Sequence, residues 1–162
     1  MKRDSLILIA VLIITLFAVY WRTFHFELIW DSKLYLKQNP LFTENYPLSS
    51  AFKQSFLREP LGTNMLGHYY RPLLVLSFMI ENKLWGLKNT SLGLINLIIY
   101  IFSLIFLYFF LKEQSEKKYF AEIATLLFAF YPINTENIVW AVGRSDLLVP
   151  VSYTHLTLPT NR

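Results

Sequence analysis

The stretch Leu92–Leu111, LGLINLIIYIFSLIFLYFFL, is apolar throughout, with Asn96 and Ser103 as its main polar interruptions. A hydrocarbon layer of ~30 Å is crossed by ~20 helical residues. Inside that layer a backbone has no water to bond, so a helix satisfies its N–H and C=O groups internally. The stretch therefore predicts a membrane-crossing helix. A second run, Leu6–Trp21, is extended by Thr23, Phe24 and Phe26 and predicts another crossing over about 6–26. Arg22 can snorkel there, and Tyr20 and Trp21 suit an interfacial belt. The charged start Met1–Ser5 also fits a cleaved signal peptide, but the bulky aromatic exit lacks a small-residue cleavage site, which favours a retained helix. A third, shorter run, Tyr119–Tyr131, ends at Pro132 and predicts a short third crossing, with a partial helix over 134–150. The expected fold class is an all-α polytopic membrane protein, with a truncated membrane domain over 1–150. The composition, 54% hydrophobic and 17% aromatic, agrees because its apolar residues lie in blocks.

The connecting segments set orientation. Lys2 and Arg3 flank the first helix, and Lys112, Lys117 and Lys118 lie between the second and third. Short basic loops stay in the cytoplasm, so the N-terminus is expected inside and the long loop 27–91 outside. An integral protein of a bacterial inner membrane is expected. The loop contains Pro40, Pro47, Pro60 and Pro72, and it is too aromatic for disorder. Within it, Pro47–Glu59 reads as an amphipathic helix, with Leu48, Phe52 and Phe56 on one face. Leu73–Ile80 reads as a re-entrant or interfacial helix. The chain has no cysteine, which excludes disulfides and thiolate metal sites. No basic stripe suggests nucleic acid as a partner. From Val151 the ending VSYTHLTLPTNR resembles translated sequencing-adapter sequence. Residues 151–162 are expected to be foreign, and the natural protein to continue.

Two polar segments share the predicted outer face: Trp30–Pro40, and Tyr131–Glu136 continuing to Gly143–Asp146. Charged groups at membrane depth are costly and tend to mark sites or paired interiors. Asp31, Arg71, Glu136, Arg144 and Asp146 are the candidates. Each has a plainer reading. Asp31 suits a helix N-cap, and Arg71 can anchor to lipid headgroups. Glu136 can complement a helix N-terminus, and Arg144 and Asp146 can pair with each other. No metal constellation is evident; a divalent cation is conceivable beside Asp31 but nothing indicates one.

The motifs FELIWDSKLYLKQNP, HYYRPLLVLSF with LWGL, and LLFAFYPINTENIVWAVGRSDLL run in that order between Phe24 and Leu148. Together they resemble the start of the membrane O-mannosyltransferases that carry tetratricopeptide repeats, within the C-type glycosyltransferases. The resemblance implies a C-type glycosyltransferase fold with a large first outer loop. It implies an enzyme that moves a sugar, mannose expected, from a polyprenyl-phosphate donor to a protein or glycan acceptor outside the cytoplasm. No cofactor is implied; the partners are membrane lipid, the lipid-linked donor and the acceptor. In that family an acidic pair sits in the first outer loop. Asp31 matches its first position, and Ser32 stands where the family usually has a second acid. A free aspartate, with a pKa of ~3.9, is ionised at neutral pH and can accept the acceptor's proton. The leaving lipid phosphate needs charge neutralisation, for which Arg71 and Arg144 offer planar forks, and Glu136 would orient the loop or the acceptor. A transporter or flippase of lipid-linked sugars, or a non-catalytic membrane subunit, would also use such residues. The short piece present here is expected to be inactive by itself.

Overall fold

The structure, a computed structural model, describes residues 3–28, 32–44, 46–53, 56, 70–115, 117 and 119–148. The described residues are helical or irregular, with no strand among them. Helix α1 covers Arg3–Tyr20 and passes into a 3-10 turn over Trp21–His25. Short helices α2 (Ser32–Lys37) and α3 (Pro40–Thr43) follow. Helix α4 covers Pro72–Trp85, α5 covers Asn89–Gln114, α6 covers Phe120–Ala129 and α7 covers Ile133–Val139.

Two helical stretches are long and apolar enough to cross a membrane, Ser5–His25 and Asn89–Gln114. Only 17% and 28% of their apolar windows are buried, whereas the core helix of a soluble protein hides most of its surface. Leu6, Ile7, Val11 and Ile14 of α1 point outward, as do Phe102 and Phe106 of α5. The inward stripes recur every fourth residue: Leu12, Leu16 and Tyr20 on α1, and Leu92, Asn96, Tyr100, Leu104 and Tyr108 on α5. That step is the helical period, so each helix shows one face to its partner. The pair is antiparallel. Ser5 Oγ lies 2.8 Å from the Tyr108 hydroxyl at one end, and Phe24 packs on Gly93 at the other.

The run expected as a short third crossing forms helix α6, and after Pro132 a second short helix, α7, follows it. Helix α6 has 10 residues, ~15 Å at 1.5 Å per residue, half of what a span requires. It stops at Phe130, and Pro132 starts α7. Proline cannot donate to the preceding turn, so the carbonyls that close α6 need other partners. Asn134 Nδ2 donates to the Phe128 carbonyl at 2.8 Å. The Tyr100 hydroxyl reaches the carbonyls of Phe128 and Ala129 at 3.2 and 3.1 Å. Together α6 and α7 climb α5 from Tyr108, bonded to Glu122, to Asn96, beside Ile138. The partial helix expected over 134–150 is likewise broken. Trp140 is extended, Ala141–Gly143 form a 3-10 turn, and residues 144–148 are again helical. They turn back along α5, where Ser103 Oγ donates to the Leu147 carbonyl at 3.3 Å.

The loop between the two long helices is structured where it is described. Asn39 caps α3, its side-chain oxygen accepting from Leu41 N at 3.0 Å. Of the amphipathic helix expected over Pro47–Glu59, the part described as far as Phe52 is a 3-10 turn over Leu48–Phe52, and residues 54, 55 and 57–59 lie outside the described residues. At about three residues per turn the expected face does not form: Ser50 and Ala51 are buried, while Leu48 and Phe52 are exposed. Phe56 is buried, stacked on Phe78 with ring centroids 6.4 Å apart. Helix α4 extends the apolar run expected over Leu73–Ile80. Pro72 opens it at a position that needs no N–H, and Gly86, at φ +74°, closes it. Its buried side joins Leu36, Leu41, Phe42 and Phe56 in one core cluster. Residues of α1, α5, α6 and α7 form a second. Residues 151–162, expected to be foreign, lie outside the described residues.

Candidate functional site

Arg144 stands where the two clusters meet, just after Ala141 and Val142 of the first and before Leu147 of the second. Its side chain is fully buried, and Nη2 donates to Glu81 Oε2 at 2.8 Å in an ion pair whose carboxylate is 1% exposed. Every nitrogen is engaged, with four of the five N–H donors bonded among the described residues. Nε donates to Asn96 Oδ1 at 2.7 Å, Nη1 to Ser77 Oγ at 3.2 Å, and Nη2 additionally to the Leu92 carbonyl at 3.4 Å. The guanidinium lies 4.3 Å from the centroid of the Phe78 ring. A buried charge needs this saturation, because desolvation costs several kcal/mol per ion. Serine and glutamate at 77 and 81 are four apart, on one face of α4; Asn96 adds a third partner from α5. Asn96 Nδ2 also lies 3.3–3.5 Å from the carbonyls of Asn137, Ile138, Trp140 and Ala141. Its two hydrogens tie the end of α7 to α5.

Above this pair the structure brings together three polar residues. Arg71, exposed at the start of α4, donates from Nη1 to Ser145 Oγ at 2.8 Å. Ser145 Oγ in turn donates to Asp146 Oδ1 at 3.1 Å. Asp146 is exposed. The arrangement presents a permanent cation and a carboxylate side by side, joined by a hydroxyl, on a backbone fixed from below by Arg144. The paired reading of Arg144 with Asp146 is therefore replaced by pairing with Glu81. In place of an open phosphate fork, Arg144 is an anchored side chain with every nitrogen engaged.

The other candidates fall as follows. Glu136 is exposed in the first turn of α7, where a carboxylate complements the helix N-terminus, and it joins none of the hydrogen bonds around Arg71 and Arg144. Asp31 lies outside the described residues. Ser32, next to it, opens α2, is buried, and its Oγ has no hydrogen-bond partner among the described residues. Glu81 is the residue the sequence reading missed. The signal available was its place directly after the apolar run Leu73–Ile80, four residues after Ser77. One oxygen, Oε1, is buried without a partner among the described residues. No group of three or more His, Asp or Glu that could hold a metal ion occurs among the described residues.

At the other end of the long helices, Lys112 Nζ donates to Ser5 Oγ and to the Tyr108 hydroxyl, each at 2.7 Å, and Tyr108 donates to Glu122 Oε1 at 3.2 Å. This network joins α1, α5 and α6 at the end opposite the Arg71 cluster.

No protein-family model matches the chain, and no solved structure matches it. Curated proteins do. The chain is 33% identical over 155 residues to protein O-mannosyl-transferase TMTC3 of Homo sapiens, covering 89% of this chain and 16% of that protein. It is 29% identical over 145 residues to protein O-mannosyl-transferase TMTC1 of Homo sapiens, covering 88% of this chain and 16% of that protein. It is 26% identical over 137 residues to protein O-mannosyl-transferase Tmtc1 of Drosophila melanogaster, covering 85% and 16%. These animal relatives give no support to the bacterial inner membrane expected from the sequence. With two apolar helices and these relatives, the chain is membrane-associated. It spans 16% of the length of the relatives named. Over most of its own length, this chain is a homologue of the protein O-mannosyl-transferases.

Proposed function

We propose that the protein is a membrane glycosyltransferase, moving mannose from a polyprenyl-phosphate donor to a protein or glycan hydroxyl outside the cytoplasm. The observation that carries the reading is the joining of Arg71 to the 144–146 segment, in a chain homologous to proteins of that name. In this reading the Asp31 carboxylate takes the acceptor's hydroxyl proton while the acceptor oxygen bonds to the sugar's anomeric carbon. The bond from that carbon to the phosphate oxygen breaks, and the polyprenyl phosphate leaves with its negative charge. Arg71 neutralises that charge, since a guanidinium is permanently cationic and its planar fork suits phosphate oxygens. Asp146 holds the Ser145 hydroxyl, and the buried Arg144–Glu81 pair fixes the backbone that carries both. Glu136 orients the acceptor or its loop. The reading needs no metal or cofactor.

The test uses the complete protein, reconstituted with a mannosyl-phosphate lipid and an acceptor peptide. Asp31→Asn keeps donor binding and loses transfer by ~100-fold or more, the range for removing a general base. Arg71→Ala weakens donor binding. Transfer retained by Asp31→Asn contradicts the reading.

A further inference from the structure

The turn between α4 and α5 leaves a groove that the Arg71 cluster does not use. Leu84 and Trp85 form one wall, Leu94, Ile95 and Ile98 the other, and Lys88, Thr90 and Ser91 the head. Its volume is about 620 Å³. Leu84 and Trp85 are 61% and 58% exposed, so this apolar wall is uncovered.

Depth gives the groove meaning. The packing of Phe24 on Gly93 puts the far ends of both long helices at one level, and Lys88 immediately precedes α5 at that end. From Lys88 to Ile98 the chain descends ten residues, ~15 Å of helix. That is half of a ~30 Å hydrocarbon layer, the reach of a single leaflet. The α5 side of the groove, from Lys88 at its head to Ile98, therefore reaches about as deep as one lipid chain. The head is basic: Lys88 is exposed, no acid lines the groove, and no ion pair to Lys88 occurs among the described residues. Thr90 is exposed beside it, whereas the Ser91 hydroxyl lies within hydrogen-bond distance of the Gly86 and Lys88 carbonyls, its one hydrogen serving either.

We propose that this groove holds an anionic membrane phospholipid, with its phosphate on Lys88 and Thr90 and one acyl chain against Leu94, Ile95 and Ile98. The proposal rests on the membrane reading of the two long helices and is independent of sugar transfer. A basic residue at a membrane surface favours an anionic lipid by ~1 kcal/mol, about fivefold in affinity.

The purified chain is delipidated in detergent, offered phosphatidylglycerol or phosphatidylcholine, and examined by native mass spectrometry. Phosphatidylglycerol is expected to be retained about fivefold better, and Lys88→Glu to abolish that preference. Ile95→Trp, which fills the groove without touching the charge, is expected to reduce retention of both lipids with helix content unchanged. Equal retention of the two lipids, or a preference unaltered by Lys88→Glu, overturns the proposal. So does retention by this chain that is lost in the complete protein, which would assign the groove to a further helix of that protein.

Discussion

Replacing Glu81 by leucine removes the only charged partner that Arg144 has among the described residues. What stays around the guanidinium is neutral: Asn96 Oδ1, Ser77 Oγ, the Leu92 carbonyl and the Phe78 ring. Both members of the pair are essentially inaccessible, at 0% and 1% exposure, so water cannot replace the lost carboxylate. Breaking a buried pair from one side costs ~3–5 kcal/mol. Arg144→Met strands Glu81 in the same way and is expected to lose a similar amount. The double variant has no charge left to desolvate. It leaves Asn96 and Ser77 with weakened hydrogen bonding, worth ~1 kcal/mol each, and is expected to be more stable than either single variant. The assay is reversible unfolding of the chain in mixed micelles with increasing dodecyl sulfate, followed by circular dichroism. The double-mutant cycle is expected to give a coupling energy of at least ~3 kcal/mol. Losses below ~1 kcal/mol for each single variant, adding in the double, would refute the claim that this pair locks the two clusters together.

Two further outcomes follow from the packing. A β-carbon at Gly143 would lie 3.0 Å from Asn137 Cα and 3.3 Å from its carbonyl oxygen, so Gly143→Ala forces backbone apart next to Arg144. A loss of ~1–3 kcal/mol is expected in the same unfolding assay. Tyr108→Phe removes the hydroxyl shared by Ser5, Lys112 and Glu122. It is expected to cost ~1–3 kcal/mol, because the buried Ser5 hydroxyl and the partly buried Glu122 carboxylate lose their bond, and to leave helix content, followed by circular dichroism, unchanged.

The long helices were legible because their signal is local: an apolar run of spanning length has few alternatives. Even so, α5 begins at Asn89 and ends at Gln114, beyond the apolar run, since polar residues continue a helix outside the hydrocarbon. The break between α6 and α7 was less legible. The run Leu126–Tyr131 is apolar across it, and only Pro132 marks the stop. What holds the break open, Asn134 and Tyr100 bonding the freed carbonyls, involves one residue far away in sequence. The site shows the same limit. Arg71 and the 144–146 segment could be placed on one face by topology, and they meet through Ser145. Arg144 and Asp146 look like partners in sequence, but helical residues two apart do not face each other. The true partner, Glu81, is 63 positions away. An acid four residues after Ser77 at the end of an apolar run is compatible with a buried pairing, but the sequence does not name the mate.

If Ser5–His25 and Asn89–Gln114 both cross the membrane, the Arg71 cluster lies on one face and the Lys112 network on the other. The chain contains no cysteine, so single replacements report position without background. Lys53→Cys, Asp146→Cys and Glu113→Cys, all at exposed positions, are placed in sealed vesicles and treated with a membrane-impermeant maleimide. Lys53→Cys and Asp146→Cys are expected to label from the same side and Glu113→Cys only from the opposite side. Labelling of Asp146→Cys from the side that labels Glu113→Cys would contradict that placement.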